Sequence, residues 1–177
     1  MIVVLSDTHR TAGHGLSESV MTAVQEATAV VHAGDFTTLA VLEAVSEQAE
    51  RVVAVHGNAD ASEVRDRLPA RRVVTLDGLR LALVHGHEHS ATARSLLGRE
   101  AAADVVVSGH THRPAVATGQ GIVLLNPGSH ADPRGAPATF ATLDPSRREH
   151  ADRVPGAVRT IDGSIHERFR IPVQSDR

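Results

Sequence analysis

One pattern constrains this chain more than any other, and it occurs five times: a short apolar, β-branched run stops abruptly at a knot of Asp, Asn or His. The plainest case is Val105-Val106-Val107 followed by Ser108-Gly109-His110-Thr111-His112. The apolar run reads as the end of a buried strand. Two histidines at i and i+2 of an extended segment project to one side of the backbone, and the preceding glycine permits a tight turn and a close approach. Neutral imidazole is the commonest metal ligand, so the pair is a candidate metal clamp.

The other four knots follow in chain order. Ile2 to Leu5 reads as a first strand ending in Ser6-Asp7-Thr8-His9, where Asp7 and His9 again stand at i and i+2. Read alone, Asp7 is a turn residue capping the next segment. Leu16, Val20, Val24 and Ala27 mark the apolar face of a helix. Ala29 to Ala33 is a second strand leading to Gly34-Asp35, and His32 inside it reads as a hydrogen-bonded core residue. Leu39, Leu42, Val45 and Ala49 stripe a second helix, and Arg51 to Val55 forms a third strand before His56-Gly57-Asn58-Ala59-Asp60. Three strand–helix repeats with polar residues at each strand's C-terminal end describe an α/β half whose site lies on one edge.

The second half is richer in hairpins. Arg72 to Leu76 and Leu79 to Val84 flank Asp77-Gly78, a strong two-residue turn signal. The second arm ends in His85-Gly86-His87-Glu88-His89. Thr92 to Ala103 reads as a helix with Ala93, Leu96, Leu97 and Ala101 apolar. Ala115 to Thr118 and Ile122 to Leu125 pair across Gly119-Gln120-Gly121, Asn126 to Ser129 is a turn, and His130 to Pro137 a loop. Thr139 to Leu143 is a strand, and the charged stretch Pro145 to Pro155 reads as a solvated connection. Val158 to Ile161 and Ile165 to Ile171 form a last hairpin across Asp162-Gly163. The expectation is one α/β domain over residues 1–177, two β-sheets packed face to face and flanked by helices.

Composition removes competing chemistries. The chain has no cysteine and no lysine; all 18 basic residues are arginine. Thiolate nucleophiles, cysteine zinc sites, Schiff-base lysines and the lysine of a P-loop are therefore excluded, and no Gly-x-Ser-x-Gly elbow occurs. A net charge of −3 and 2% aromatics supply neither a basic footprint nor a stacking platform, so nucleic acid is not an expected partner. No apolar run reaches membrane-spanning length. With a core strand already at Ile2, no room remains for a cleaved leader, and a cytoplasmic protein is expected. A homo-oligomer is compatible with the sequence. Histidine and carboxylate chemistry remain, and Asp, Asn and His together suit a divalent ion such as Mn, Fe, Zn, Ni or Co.

In the order Asp-Thr-His, Gly-Asp, Gly-Asn-x-Asp, His-Gly-His and Gly-His-Thr-His, the knots resemble the calcineurin-like metallophosphoesterase superfamily. Ser6 to His9, His32 to Asp35, Gly57 to Asp60, Gly109 to His112 and Asn126 to Ser129 resemble its small YfcE-like phosphodiesterase branch, over about residues 1–144. The resemblance implies a four-layer α/β/β/α sandwich holding two divalent metal ions, Mn foremost. One ion would sit on Asp7, His9, Asp35 and His112, the other on Asp35, Asn58, His85 and His110, with Asp35 bridging. It implies hydrolysis of a small phosphoester, foremost a phosphodiester, by a hydroxide activated between two ions. Asn58 would neutralise charge on the phosphoryl oxygens, and Asp60 would orient a ligand. Asn126 to Ser129 would shape the backbone near the site. His14, His56, His130, His150 and His166 are read as surface or packing residues.

Two departures from the family pattern bear on mechanism. Arg10 follows His9 where the branch usually has glycine; it is either a solvated arginine or a fork for a distal anionic group of the substrate. Ala59 stands where larger members carry a histidine that protonates the leaving group. His87, at i+2 from His85, is then either the replacement acid or a packing residue. The competing function is a non-catalytic interaction scaffold of the same fold, as in the retromer subunit.

Overall fold

The computed structural model describes residues 1–149 and 152–173. Its first half alternates β1 (Ile2–Leu5), α1 (Glu18–Gln25), β2 (Ala29–His32), α2 (Leu39–Ser46), β3 (Val52–Ala54) and α3 (Ser62–Arg67). There follow β4 (Arg71–Leu76), β5 (Leu79–Val84), α4 (Ala91–Glu100), β6 (Val105–Val107), β7 (Pro114–Gly119) and β8 (Ile122–Pro127). The last strands are β9 (Thr139–Leu143), β10 (Arg153–Thr160) and β11 (Ile165–Pro172), with a 3₁₀ turn at Pro145–Arg147. A six-stranded sheet runs β11-β10-β9-β1-β2-β3 and a five-stranded one β4-β5-β6-β8-β7. Each contains a run of three parallel strands: β1, β2 and the edge strand β3 in the first, and the central β5, β6 and β8 in the second.

The sheets meet face to face because their inward residues are almost all aliphatic. Val4, Val31 and Val53 of one sheet share a core with Leu81, Leu83, Val107 and Leu125 of the other. Each side chain of this size, fully buried, contributes about 1.5–3 kcal/mol of transfer free energy. On the outer faces, Val20 and Val24 of α1 pack on Val3, Leu5 and Val30, and Val41 and Val45 of α2 pack with Val64 of α3 near Ala54. α4 closes the far face against Ala82, Val106 and Ile122. Helices thus cover both outer faces, giving the four layers expected. No helix among the described residues is long and apolar enough to cross a membrane.

All three turn signals in the second half produce hairpins, and two of them, Asp77-Gly78 and Gln120-Gly121, have both residues at positive φ as a two-residue turn of the primed type requires. α4 departs from its apolar pattern. Leu96 is 49% exposed, and Gly98 faces the sheet instead. A Cβ at Gly98 would lie 2.7 Å from Cγ2 of Val106, so helix and strand approach at a distance only glycine allows. The stretch Pro145 to Pro155 is not wholly a solvated connection. β10 begins at Arg153, and Val154 is fully buried between the sheets. Charge on the outward residues had hidden the alternation. His150 lies outside the described residues.

Candidate metal centre

The five knots converge at the C-terminal ends of β1, β2 and β3 on one sheet and β5 and β6 on the other. They do not converge by extension. Asp7, His9, Asp35, His110 and His112 all have positive φ, between 43° and 71°, so the i and i+2 pairs sit on left-handed loops rather than continuing strands. For residues other than glycine this conformation costs about 1–2 kcal/mol each. The cost is offset by specific bonds. Asp7 and His9 donate their N–H groups to the carbonyls of Gly34 (3.0 Å) and Asp35 (3.1 Å). Asp35 N–H donates to Asp60 Oδ2 at 3.0 Å, and His110 N–H to the Asp7 carboxylate at 3.0 and 3.1 Å. Strain held this firmly at one edge makes it a candidate functional site. Gly109 serves close approach as expected, since a Cβ there would come 2.6 Å from Asp7 Oδ2.

Two buried groups result. Asp7, His9 and His112 offer ligand atoms within 4.8 Å of one another, and so do Asp7, Asp35 and His85. Asp35 Oδ2 lies 3.2 Å from His9 Nε2 and 3.1 Å from His85 Nε2, so its carboxylate faces both imidazoles as a bridging position requires. Asp7 Oδ1 is 3.5 Å from His112 Nε2. His85 Nδ1 lies 2.7 Å from the carbonyl of Ala33, and His112 Nδ1 contacts the carbonyl of Asp132. A carbonyl only accepts, so both rings carry the Nδ1 proton and, when neutral, turn an Nε2 lone pair toward a carboxylate.

A lone pair facing a carboxylate is repulsive unless a cation or a proton lies between them. The Nε2 atoms of His9 and His85 are buried without a hydrogen-bond partner, their approach to Asp35 being one of charge rather than directed bonding. Contact with Asp35 raises His9 above the ordinary imidazole value. Burial by itself would lower His85, but the charge and proximity of Asp35 outweigh it and leave His85 raised. Burial opposes ionisation of Asp35 too, and here His85 and His9 prevail and hold its carboxyl well below the usual range. Asp7 is raised, chiefly by burial. This donor set of imidazole nitrogens and carboxylate oxygens fits a borderline divalent cation.

The remaining candidates stand at the rim. Asn58 and His110 are exposed, and His110 falls outside both groups; its ring meets His85 edge-on at 5.4 Å. The His87 ring is 5.5 Å from that of His85 and 6.1 Å from that of His110, and burial together with His85 lowers its pKa. Asp60 is buried and turned to backbone, accepting from Asp35 and Gly57 at Oδ2 and from Thr37 at Oδ1. It ties the Asp35 loop to the Asn58 loop. Arg10 is exposed and packs over Gly15 beside His130. Asn126 donates to the Gly109 carbonyl, and Ser129 Oγ to that of Asp7, shaping the loops as expected.

His32 behaves as a core residue. Gly34 N–H donates to its Nδ1, so Nε2–H donates to Thr8 Oγ1 at 2.8 Å. His130 is buried with neither ring nitrogen bonded, and burial lowers it to about 4. Two contributors escaped the sequence reading. Arg65 of α3 donates to the carbonyls of Asn58 (2.7 Å) and Asp60 (2.9 Å). Asp132 holds His112 through its backbone oxygen, with its carboxylate 3.7 Å from the same nitrogen. A backbone carbonyl as acceptor leaves no mark in sequence, and Arg65 carried no signal beyond its place shortly after the Asn58 knot.

The model of the calcineurin-like phosphoesterase superfamily domain matches residues 1–148. The chain is 33% identical over 139 residues to the probable metallophosphoesterase MJ0623 of Methanocaldococcus jannaschii, covering 76% of this chain and 70% of that one. It is 38% identical over 112 residues to the phosphodiesterase YfcE of Escherichia coli K12, 59% of this chain and 58% of YfcE. The solved structure of E. coli YfcE, described as a phosphoesterase, has a TM-score of 0.68 at 27% identity, over 98% of this chain and 99% of that one. Entamoeba histolytica Vps29 in complex with Zn²⁺ has a TM-score of 0.72 at 21% identity, over 98% and 99%; that likeness is one of fold.

Proposed function

Because the chain belongs to the calcineurin-like phosphoesterase superfamily, we propose that it is a metal-dependent phosphodiesterase acting on a small phosphoester through two divalent ions, Mn first among Mn, Ni, Fe, Zn and Co. The observation that carries this reading is the pair of buried groups sharing Asp7, with the His9 and His85 nitrogens unpartnered against the Asp35 carboxylate. Asp7, His9, Asp35 and His112 would hold one ion, and Asp35, Asn58, His85 and His110 the other. When bound, such a pair supplies a nucleophile at neutral pH and draws charge from the phosphoryl oxygens. The chain's own part is positional. His85 and His112 are fixed in one tautomer by backbone carbonyls, Asp35 is kept ionised between two imidazoles, and the exposed Asn58 amide can donate to a phosphoryl oxygen.

The test is elemental analysis of the purified chain alongside hydrolysis of bis-p-nitrophenyl phosphate with Mn in excess. Two ions bound and hydrolysis of the diester are expected. Fewer than two ions overturns the two-metal reading. Two ions without hydrolysis of any phosphoester favours the scaffold function instead.

A further inference from the structure

The outer face of the six-stranded sheet is roofed unevenly. α1, α2 and α3 pack their apolar residues on β1, β2, β3 and Phe140 of β9, and none of those residues packs on β10 or β11. Ala157 of β10 lies between Thr142 of β9 and Arg168 of β11 in register and forms the floor of an open groove of about 320 Å³. Arg147, Arg159, Arg168 and Arg170 line it, with Asp144 and Glu149 as its carboxylates. Four guanidiniums against two carboxylates leave a local charge of about +2 on a chain whose net charge is −3.

The pairing within the groove is incomplete. Arg147 Nε lies 3.2 Å from Asp144 and Arg170 Nε 2.7 Å from Glu149, so both carboxylates are engaged. Arg159 has no carboxylate partner among the described residues. Its guanidinium is oriented by Thr142 Oγ1 at 3.3 Å and the Gly163 carbonyl at 3.0 Å, which leaves three of its five N–H donors for another partner. The Arg168 guanidinium makes no hydrogen bond or ion pair among the described residues. One pre-oriented fork and one free fork flank a small floor. The groove opens beside Met1, at the start of β1, whereas the metal ligands follow the end of that strand. Four residues at roughly 3.3 Å each separate the two places.

We propose that this groove is a second ligand site, distinct from the metal centre, for a small anion carrying at least two phosphate charges. The size and the chemistry favour that occupant. The volume lies at the lower end of small-molecule pockets, about 300 Å³ upward, which suits a compact ligand. Two guanidiniums without carboxylates match a dianion, and the planar fork binds phosphate through paired N–H donors.

The test titrates the metal-free chain of residues 1–177 with inorganic pyrophosphate while following backbone amide resonances. The expected result is saturable one-to-one binding that shifts the amides around Ala157, Arg159 and Arg168 and weakens with salt. Arg168→Gln and Arg159→Gln should each weaken it about tenfold, as for loss of one charge-assisted fork. Glu149→Gln, which frees Arg170, should tighten it a few-fold. Because the ion-free protein is used, the outcome does not depend on the phosphodiesterase reading. Shifts confined to residues 7–9 and 110–112, no saturation, or no effect of the arginine variants overturns the site. Equal affinity for tricarballylate, a compact polycarboxylate, overturns the phosphate assignment.

Discussion

The two sheets bring different chemistry to the shared edge. The six-stranded sheet supplies the two buried carboxylates that face the imidazoles, Asp7 and Asp35, together with His9 and Asn58, from the loops after β1, β2 and β3. The five-stranded sheet supplies only imidazoles, and each of its loops offers one buried and one open ring: His85 with His87, and His112 with His110. Neither half can work alone. Two carboxylates buried in one place repel unless cations stand between them, and Asp35 keeps its charge through His9 of its own sheet and His85 of the other. The centre is therefore a product of sheet packing. Metal bound there would stabilise the packed state by mass action.

The largest effect should come from removing the charge both sheets address. Asp35→Asn is expected to lose at least one bound ion and to reduce kcat/KM for an aryl diester by roughly 10³-fold or more, the loss of several kcal/mol of charge stabilisation. Metal content and steady-state kinetics measure both. A variant that keeps two ions and near-normal turnover would remove Asp35 from the bridging position.

The open rings of the second sheet invite the next test. On the first sheet, Ala59 gives Asp35 only its backbone N–H, at 2.8 Å, and has no side-chain proton to donate. We propose His87 of the second sheet, an exposed imidazole at the rim, as the donor in its place. An alkyl leaving group departs poorly unless protonated, and general acid catalysis contributes about 10²–10⁴-fold, whereas p-nitrophenolate needs little help. Across diesters of graded leaving-group pKa, the wild type should be nearly flat, and His87→Ala should lose about 10²-fold at the alkyl end alone. Two flat series, with chemistry rate-limiting, would mean another donor.

Buried imidazoles that meet a carboxylate can be set against one that does not. His85 is raised by Asp35, while His130, with no acidic neighbour bonded to it, is lowered by burial from 6.5 to about 4. As pH falls from neutrality the unfolded chain protonates this histidine first. Its contribution to stability is therefore complete above pH 6.5 and is lost progressively toward pH 4. Between pH 7 and pH 4.5 that loss is about 2.5 kcal/mol. Urea unfolding of metal-free His130→Leu should lack this part of the acid destabilisation. Equal pH dependence in variant and wild type would show that His130 is not buried neutral in solution.

Much of this architecture was legible because short buried strands and two-residue turns leave strong local marks. Val105 to Val107 and Asp77-Gly78 name their structures almost unaided. The convergence of the knots was legible in outcome but not in cause. The spacing of His110 and His112 suggested an extended pair, whereas both lie in left-handed turns held by contacts over 100 residues apart in sequence, as between Asp7 and His110. β10 was half concealed, since Arg153 and Pro155 on its outward face imitate a loop while Val154 is core. Bonds to backbone carbonyls, from Arg65 and to Asp132, belong to no residue pattern at all.

Arg65 is where the smallest effect is expected. Its guanidinium spans the carbonyls of Asn58 and Asp60 from α3 and clamps the loop on which the exposed Asn58 side chain stands. The side chain is exposed, so solvent replaces part of what a substitution removes, and the loop keeps the bonds that the Gly57 and Thr37 N–H groups donate to Asp60. Arg65→Met should therefore weaken the second Mn ion by roughly three- to tenfold, about one charge-assisted hydrogen bond, and leave the first ion unchanged. Lysine should not restore the affinity, because an ammonium has no planar fork to span two carbonyls. Hydrogen exchange in the metal-free chain supplies a readout independent of activity. Amides 57 to 60 should exchange faster in Arg65→Met, while those after β6 should not change. If both ions bind as in the wild type and exchange is unaltered, the clamp is a surface contact only, and the Asp60 carboxylate alone holds the first sheet's loop in place.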